Sequence, residues 1–173
     1  MNGALAQEEA LCFASNLYLT QLRYQKEFYD FNKRLKTKCY SDAMIYSPNV
    51  VFIRGEDYAF LPVPVIADIL TSPAVNLGSA MRQGEDEEAC YQVMEQRMRK
   101  ILSVFADRGN RDVILGAFGC GVFHNDPIRI KEIWKKLLME EQWQFCFDSI
   151  LFAVYDNSRA KQTIEAFQSL VKV

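Results

Sequence analysis

The stretch that decides the fold reads DVILGAFGCGVFHNDP and spans residues 112–127. It begins with apolar residues that favour a strand and continues through a turn that holds three of the eight glycines. It ends on Asn125-Asp126-Pro127, which is typical of a helix start, because Asn or Asp caps the first amides and proline fits the first helical position. The stretch therefore predicts a strand, a glycine-rich turn and a helix, in that order.

Strand and helix signals also alternate on both sides of this stretch. Apolar residues at three- and four-residue steps predict helices, whereas short runs rich in β-branched and aromatic residues predict strands. We predict helices over Ala4–Tyr18, Leu22–Lys36 and Glu85–Phe105, another from Pro127, and a last one capped by Asn157-Ser158 and reaching Val171. We predict extended segments over Ile45–Pro48 and Val50–Arg54 and a turn at Gly55-Glu56-Asp57. We also predict strands over Val63–Leu70, at Val113–Leu115 within Asp112–Phe118, and over Ser149–Tyr155, of which Val63–Leu70 and Ser149–Tyr155 are expected to be buried.

This alternation predicts an α/β fold of three layers, in which helices cover both faces of a mixed or parallel sheet. A length of 173 residues suits one domain, so we expect a single domain over residues 1–173. Ligand loops in such folds follow the carboxyl ends of strands. The loops predicted over Thr71–Gly84 and Gly116–Asp126 are therefore the places to search for a binding site.

Composition and charge exclude several classes of function. Twenty Lys and Arg stand against 22 Asp and Glu, a net charge of -2 that gives no basic field for nucleic acid. The most apolar long segment, Phe60–Leu77, contains three prolines and Asp68, so we expect no membrane span. The N-terminus has no secretory pattern, so we expect a cytoplasmic protein. Five scattered cysteines without a CxxC pair, and His124 as the one histidine, predict reduced thiols, no metal site and no cofactor.

The glycine-rich turn allows two interpretations. Glycines let main-chain amides turn toward an anion next to a helix start, so the turn could bind a phosphate or diphosphate. Its spacing matches neither a Walker loop nor a dinucleotide fingerprint, and it could equally be a tight turn. Cys120 and His124 could form a nucleophile and a base, but no third group orients them. We interpret Cys120 as a small packing residue and His124 as a surface or hydrogen-bonding group.

The segment Gln7-Glu8-Glu9 is the second candidate site. Two carboxylates at a helix start are either surface charges that suit the helix dipole or an acid/base pair. Neighbouring helical residues point ~100° apart, so Glu8 and Glu9 cannot do the same job. If the pair is catalytic, one carboxylate acts and the other orients.

Taken together, the motifs resemble those of the microbial-type poly(ADP-ribose) glycohydrolases, whose fold is a macrodomain with an added catalytic loop. The resemblance covers Asn2 to Asp156 and rests on four segments in the family's order. They are AQEEALC at 6–12, MIYSP at 44–48, TSPAVN at 71–76 and LGAFGCGVFHNDP at 115–127.

This resemblance implies a three-layer, macrodomain-like fold and a function. The chain would cleave ribose–ribose O-glycosidic bonds of poly(ADP-ribose), with ADP-ribose or its polymer and ADP-ribosylated proteins as partners. Glu9 would be the general acid/base, and Glu8 and Gln7 would hold the ribose hydroxyls and the loop. Backbone amides would cradle the diphosphate, and Phe123 would also pack against the ADP-ribose. The substrate-binding residues implied are Gln7, Asn76, Gly119, Cys120, Gly121, Val122 and Phe123.

The resemblance also shows two departures from the family. Its members carry a Pro-Gly-Gly-Gly loop just before the Asn-Gly-Ala that begins here at Asn2, and residues 72–76 read SPAVN where the family reads APAPN. We therefore expect an N-terminally shortened domain in which the ribose-holding loop is lost and the rate is lowered. The alternatives are a non-catalytic ADP-ribose-binding macrodomain and a scaffold that makes only protein contacts.

Overall fold

The computed structural model describes residues 7–55 and 57–170, which form two compact units. The first, here called the hairpin unit, comprises Met1–Leu35 and Ser41–Pro73. The second, called the glycine-loop unit, comprises Lys36–Tyr40 and Ala74–Val173. A single domain over residues 1–173 stays a prediction. Predictions that concern residues 1–6, 56 and 171–173 lie outside the described residues.

The hairpin unit places short helices before a two-stranded antiparallel sheet. Its strands pair from Ile45 opposite Thr71 to Arg54 opposite Phe60, with irregularities between Ser47 and Val50 and between Phe52 and Arg54. The turn predicted at Gly55 is present, since the Tyr58 amide donates to the Gly55 carbonyl at 3.0 Å. The elements are α1 (Gln7–Ala14), α2 (Leu17–Leu22), a π-helical segment (Gln25–Asp30), α3 (Phe31–Arg34), β1 (Ile45–Arg54) and β2 (Phe60–Thr71).

The helix predicted to reach Tyr18 breaks at Ser15-Asn16, so that prediction was wrong in its length. The Asn16 amide donates to the Val51 carbonyl at 3.3 Å, and its Oδ1 accepts from the Val51 amide at 3.0 Å. The Ser15 hydroxyl donates to the Leu11 carbonyl at 2.6 Å and so closes α1. Short polar side chains that bond to nearby backbone compete with helix continuation, and here they attach the break to β1.

The strand predicted over Val63–Leu70 forms, but it is not buried as expected. Val63 and Ile66 are 72% and 63% exposed. Among the described residues β2 pairs only with β1, so one edge and part of its apolar face lie open. Richness in β-branched residues thus indicated the strand correctly and its burial wrongly.

The glycine-loop unit alternates helices with a two-stranded parallel sheet. Its strands run in register from Asp112 opposite Ser149 to Leu115 opposite Phe152. A parallel pair needs a crossover, and the helix begun by Pro127 supplies it. The elements are α4 (Leu77–Arg82), α5 (Glu87–Asp107), β3 (Asp112–Leu115), α6 (Pro127–Lys135), a π-helical segment (Lys136–Glu140), a 3-10 segment (Trp143–Cys146), β4 (Ser149–Phe152) and α7 (Gln162–Gln168).

The core of this unit gathers the apolar faces that the helical spacing predicted. On α5 the buried face includes Tyr91, Met94 and Met98. Trp134 of α6 is 1% exposed, and its indole N–H donates to the Gly116 carbonyl at 3.1 Å. The Phe152 ring of β4 lies 6.0 Å from Trp134 and 5.6 Å from Phe167, measured between centroids. These aromatic contacts fix the start of the glycine-rich turn above a packed core.

Three local predictions in this unit were wrong. The segment Thr71–Gly84 is not loop throughout, because the Asn76 side chain accepts from the Ser79 amide and caps α4. Strand β4 is not buried along its length, since Leu151 is 59% exposed. The last helix begins at Gln162, and its first amides bond to the Asp156 carboxylate, 3.0 Å from the Thr163 nitrogen, rather than to Asn157 or Ser158.

No helix in the described part of the chain combines the length and apolar character that a membrane crossing requires.

The aromatic contacts predict a measurable difference between two phenylalanines. Phe167 is 2% exposed, whereas Phe145 is 75% exposed. Phe167→Ala should lower the free energy of unfolding by about 3–5 kcal/mol, because it leaves a cavity beside Phe152. The matched Phe145→Ala change should stay within about 0.5 kcal/mol. Urea denaturation measures both, and equal losses would contradict the packing described here.

Candidate active site

The glycine-rich turn is held closed by the side chain of Asn125. This residue is 3% exposed, and its Nδ2 donates to the Gly119 carbonyl at 2.9 Å and to the Val75 carbonyl at 2.8 Å. Its backbone amide also donates to the Gly119 carbonyl at 3.2 Å. The amide side chain therefore joins the turn to the segment that precedes α4.

Gly119 fits this arrangement because it has no side chain. Its φ is +75°, and a Cβ there would lie 2.5 Å from Asn125 Nδ2 and 2.9 Å from the Ala74 Cβ. Gly121 is different, since a Cβ built on it meets nothing within 4 Å. The first glycine is needed for closure of the turn, and the second leaves open space beside the backbone.

A second contact joins the turn to α4. The Gly78 amide donates to the Phe123 carbonyl at 3.0 Å, and a Cβ on Gly78 would lie 2.8 Å from the His124 ring. The structure thus brings together parts of Thr71–Gly84 and Gly116–Asp126, the two loops predicted from the sequence as places for a binding site. His124 is exposed and packs on Gly78, so its prediction as a surface group is confirmed.

The turn presents main-chain amides that bond to nothing else. Within residues 7–55 and 57–170, the amides of Gly119, Gly121, Val122 and Phe123 donate to no acceptor. The Cys120 amide is already used, because it donates to the Ala117 carbonyl at 3.0 Å. Several unpaired N–H groups on consecutive residues are what an anion such as a diphosphate requires.

The side chains of the turn are apolar neighbours rather than reagents. Burial, and then the negative charge of Asp126, raise the pKa of the Cys120 thiol to about 12. The thiol is therefore protonated near neutral pH, which opposes a nucleophilic role. The Phe123 ring lies 6.1 Å from the Tyr40 ring between centroids, and Val122 is 77% exposed.

The hairpin unit carries Gln7, Glu8 and Glu9 in the first turn of α1. The Tyr29 hydroxyl donates to Glu8 Oε1. Burial, and then this hydrogen bond to Glu8, raise the pKa of Tyr29 well above its ordinary value, so the phenol stays a donor. Glu8 and Glu9 are half-buried, while Gln7 is exposed.

A hydrogen-bonded chain anchors α1 behind these carboxylates. The Cys12 thiol donates to Gln21 Oε1 at 3.1 Å, and Gln21 Nε2 donates to the Thr71 hydroxyl at 3.2 Å. Burial, and then the negative charges of Glu8 and Glu9, raise the pKa of Cys12 to about 11. Cys12 therefore remains a neutral donor below Glu8 and Glu9.

Sequence reasoning missed three residues that shape these sites. Tyr29 lies 21 positions after Glu8, and no motif marks it as the partner of that carboxylate. Tyr40 likewise carries no signal. Asn125 was noticed only as part of a cap, but Asp126 performs the capping, with its Oδ1 accepting from the Ile128 amide at 2.8 Å. The available signal was the order Asn125-Asp126. Because Asp126 caps the helix, the side chain of Asn125 must bond elsewhere.

Comparison with known proteins gives the class to which these features belong. A family model described as the catalytic domain of microbial-type PARG, the abbreviation of poly(ADP-ribose) glycohydrolase, matches residues 1–55. Poly(ADP-ribose) glycohydrolase from Deinococcus radiodurans, solved in complex with ADP-ribose, is 35% identical with a TM-score of 0.91, over 98% of this chain and 70% of that one. The enzyme from Thermomonospora curvata is 37% identical with a TM-score of 0.89, over 96% of this chain and 61% of that one. No curated protein sequence matches the chain.

These matches place the chain among α/β glycohydrolases with a PARG-like fold, which confirms the fold class drawn from strand and helix alternation. The chain belongs to the microbial-type poly(ADP-ribose) glycohydrolase family. The resemblance read from the four sequence segments, and with it the prediction of a glycohydrolase, is confirmed at this level. The roles of the individual site residues stay predictions.

The geometry of the turn predicts opposite results for its two glycines. Gly119→Ala should lower the free energy of unfolding by about 2 kcal/mol or more, because it combines a positive φ with two close contacts. Gly121→Ala should leave it nearly unchanged. Urea denaturation of both variants provides the measurement, and similar losses at the two positions would refute the assignment of Gly119 as the closing residue.

Proposed function

We propose that the chain hydrolyses the ribose–ribose O-glycosidic bond of poly(ADP-ribose) and releases ADP-ribose, with Glu9 as general acid/base. The observation that carries the proposal is membership of the family, at 35% identity over nearly the whole chain to an enzyme solved with ADP-ribose. The open amides of the glycine-rich turn support it, because they suit the diphosphate of that ligand.

The proposed chemistry divides the work between the two carboxylates. Glu9 donates a proton to the departing ribose oxygen while the anomeric C–O bond breaks through an oxocarbenium-like transition state. Water then attacks the anomeric carbon, and the Glu9 carboxylate takes up its proton, so the residue returns to its starting form. The hydroxyl of Tyr29 fixes one oxygen of Glu8. That leaves Glu8 suited to accept a hydrogen bond from a ribose hydroxyl rather than to move a proton.

The remaining site residues take supporting roles in this proposal. The amides of Gly119, Gly121, Val122 and Phe123 bind the diphosphate, and the Phe123 ring packs against the ADP-ribose. Cys120 contributes through the shape of the turn, since its amide is already used. Gln7 and Asn76 bind substrate through their side-chain amides. Action on ADP-ribosylated proteins, and in the cytoplasm, stays a prediction.

The diphosphate assignment predicts selective binding. ADP-ribose should bind and adenosine should not, because only the former offers oxygens to the open amides. Gly121→Val should weaken ADP-ribose binding by about tenfold or more, since its side chain would enter the open space beside the turn. Isothermal calorimetry measures affinity, and thermal melting should show an unchanged fold. Equal affinity for adenosine and ADP-ribose would remove the assignment.

The acid/base assignment predicts a separation of rate from binding. Glu9→Gln should lower release of ADP-ribose from the polymer by about 10²–10⁴-fold while ADP-ribose affinity stays nearly the same, because the amide keeps the shape and cannot carry the proton. Glu8→Gln should reduce both rate and affinity. Glu165→Gln is the matched control, an exposed glutamate in the first turn of α7, and should change neither.

The outcomes of this assay also separate enzyme from binding module. Equal polymer hydrolysis by the wild type and Glu9→Gln would exclude Glu9 as the acid/base. Absence of turnover in both proteins, with ADP-ribose binding retained, would favour the non-catalytic binding module instead.

A further inference from the structure

The glycine-loop unit contains a cluster of three potential metal donors away from the turn. The Cys39 Sγ lies 3.4 Å from the Cys90 Sγ and 3.5 Å from Glu85 Oε2. All three donor atoms lie within 4.8 Å of one another. Cys39 and Cys90 are 9% and 2% exposed, whereas Glu85 is only half-buried and leaves a side open to solvent.

The spacing of these atoms fits tetrahedral zinc. With Zn–S bonds of ~2.3 Å and a Zn–O bond of ~2.0 Å, tetrahedral angles separate two sulfurs by ~3.8 Å and a sulfur from an oxygen by ~3.5 Å. The Cys39–Cys90 and Cys39–Glu85 distances differ from those values by a few tenths of an ångström at most, and the third pair lies within 4.8 Å. A disulfide would instead need the sulfurs to approach to ~2.05 Å, a larger movement of two packed side chains.

The surroundings hold two of the donors in place. The Glu85 carboxylate accepts from the Lys38 amide at 2.7 Å and from the Thr37 hydroxyl at 2.7 Å, contacts that orient a ligand from outside. Arg97 is 0% exposed and donates to the Cys39 carbonyl at 2.7 Å, so it fixes the backbone that carries the Cys39 thiol.

We propose that Cys39, Cys90 and Glu85 bind one Zn²⁺ ion, with solvent as the fourth ligand on the open side of Glu85. Sulfur and carboxylate oxygen together are a donor set that zinc accepts and that magnesium or calcium does not favour. The proposal replaces the expectation of no metal site, which rested on sequence spacing. Cys39 and Cys90 are 51 positions apart, so no short sequence motif could have predicted them as a pair of ligands.

The ion would fix the segment Lys36–Tyr40 to the start of α5. That segment has no helix or strand of its own, and it carries Tyr40, whose ring lies beside Phe123. A bond from the metal to Cys39 would therefore restrict the residue next to Tyr40. The role is structural, and the proposal does not require the hydrolysis proposed above.

Cobalt binding tests the site directly. The reduced, chelator-treated full chain should bind one equivalent of Co²⁺ and show thiolate-to-cobalt absorption in the near ultraviolet with strong tetrahedral bands in the visible. Zn²⁺ should displace the cobalt and raise the melting temperature. Cys39→Ser and Cys90→Ser should each lower the near-ultraviolet absorption per cobalt, whereas Cys146→Ser, at an exposed cysteine, should not.

Glu85→Gln keeps both thiols, so it tests the site even if the serine variants fail to fold. It should weaken zinc affinity by at least about tenfold, since loss of a ligand should cost no less than loss of an outer-shell partner. The proposal is overturned if the reduced wild type gives no tetrahedral cobalt spectrum, or if Cys39→Ser and Cys146→Ser give the same one. It is likewise overturned if Cys39 and Cys90 form a disulfide on mild oxidation while the reduced protein binds no metal.

Discussion

The glycine-loop unit depends on one buried amide, the side chain of Asn125. Its two donor hydrogens bond to the Gly119 and Val75 carbonyls, one in the glycine-rich turn and one before α4. Each bond alone would stabilise by only about 1 kcal/mol. Loss of the side-chain amide would remove this partner from the buried Val75 carbonyl and would leave the Gly119 carbonyl with the backbone amide of Asn125. The path of residues 119–125 follows from this constraint, and so does the direction of their free amides.

Much of the fold could be predicted from the sequence because local signals and tertiary packing agree there. Helix α5 is the clearest example, since its charged first turn and its apolar stripe predicted a helix over Glu85–Phe105 and the helix forms over Glu87–Asp107. Prediction fails where the decisive contact is distant. No residue near Asn16 in the sequence indicates that Val51 will form a hydrogen bond with it and that α1 will end there. The exposure of β2 is likewise set by which strands pair, and composition does not contain that information.

The same difference between local signals and distant contacts applies to the candidate site. The glycine-rich turn is a continuous segment, so its motif was visible, and the structure adds only which amides remain open. The partner of Glu8 is Tyr29, in a π-helical segment that carries no motif. Sequence reasoning could state that Glu8 and Glu9 must differ, because they point in different directions on a helix. It could not state that a tyrosine would bond to Glu8, the contact on which the proposed orienting role of Glu8 rests.

In the segment Lys36–Tyr40, hydrogen bonds to other parts of the glycine-loop unit set the position of Tyr40. The segment belongs to the glycine-loop unit, although the residues on both sides of it in the chain do not. Because the segment has no helix or strand, individual hydrogen bonds hold its backbone. The Asn76 amide donates to the Lys38 carbonyl at 3.0 Å, and the Arg97 side chain donates to the Cys39 carbonyl. A buried arginine is costly unless it is well bonded, so Cys39 has little freedom to shift. The ring of Tyr40 follows directly in the chain. Its place beside Phe123 is therefore set by groups outside the glycine-rich turn, and a change at Cys39 or Glu85 would reach the turn through Tyr40.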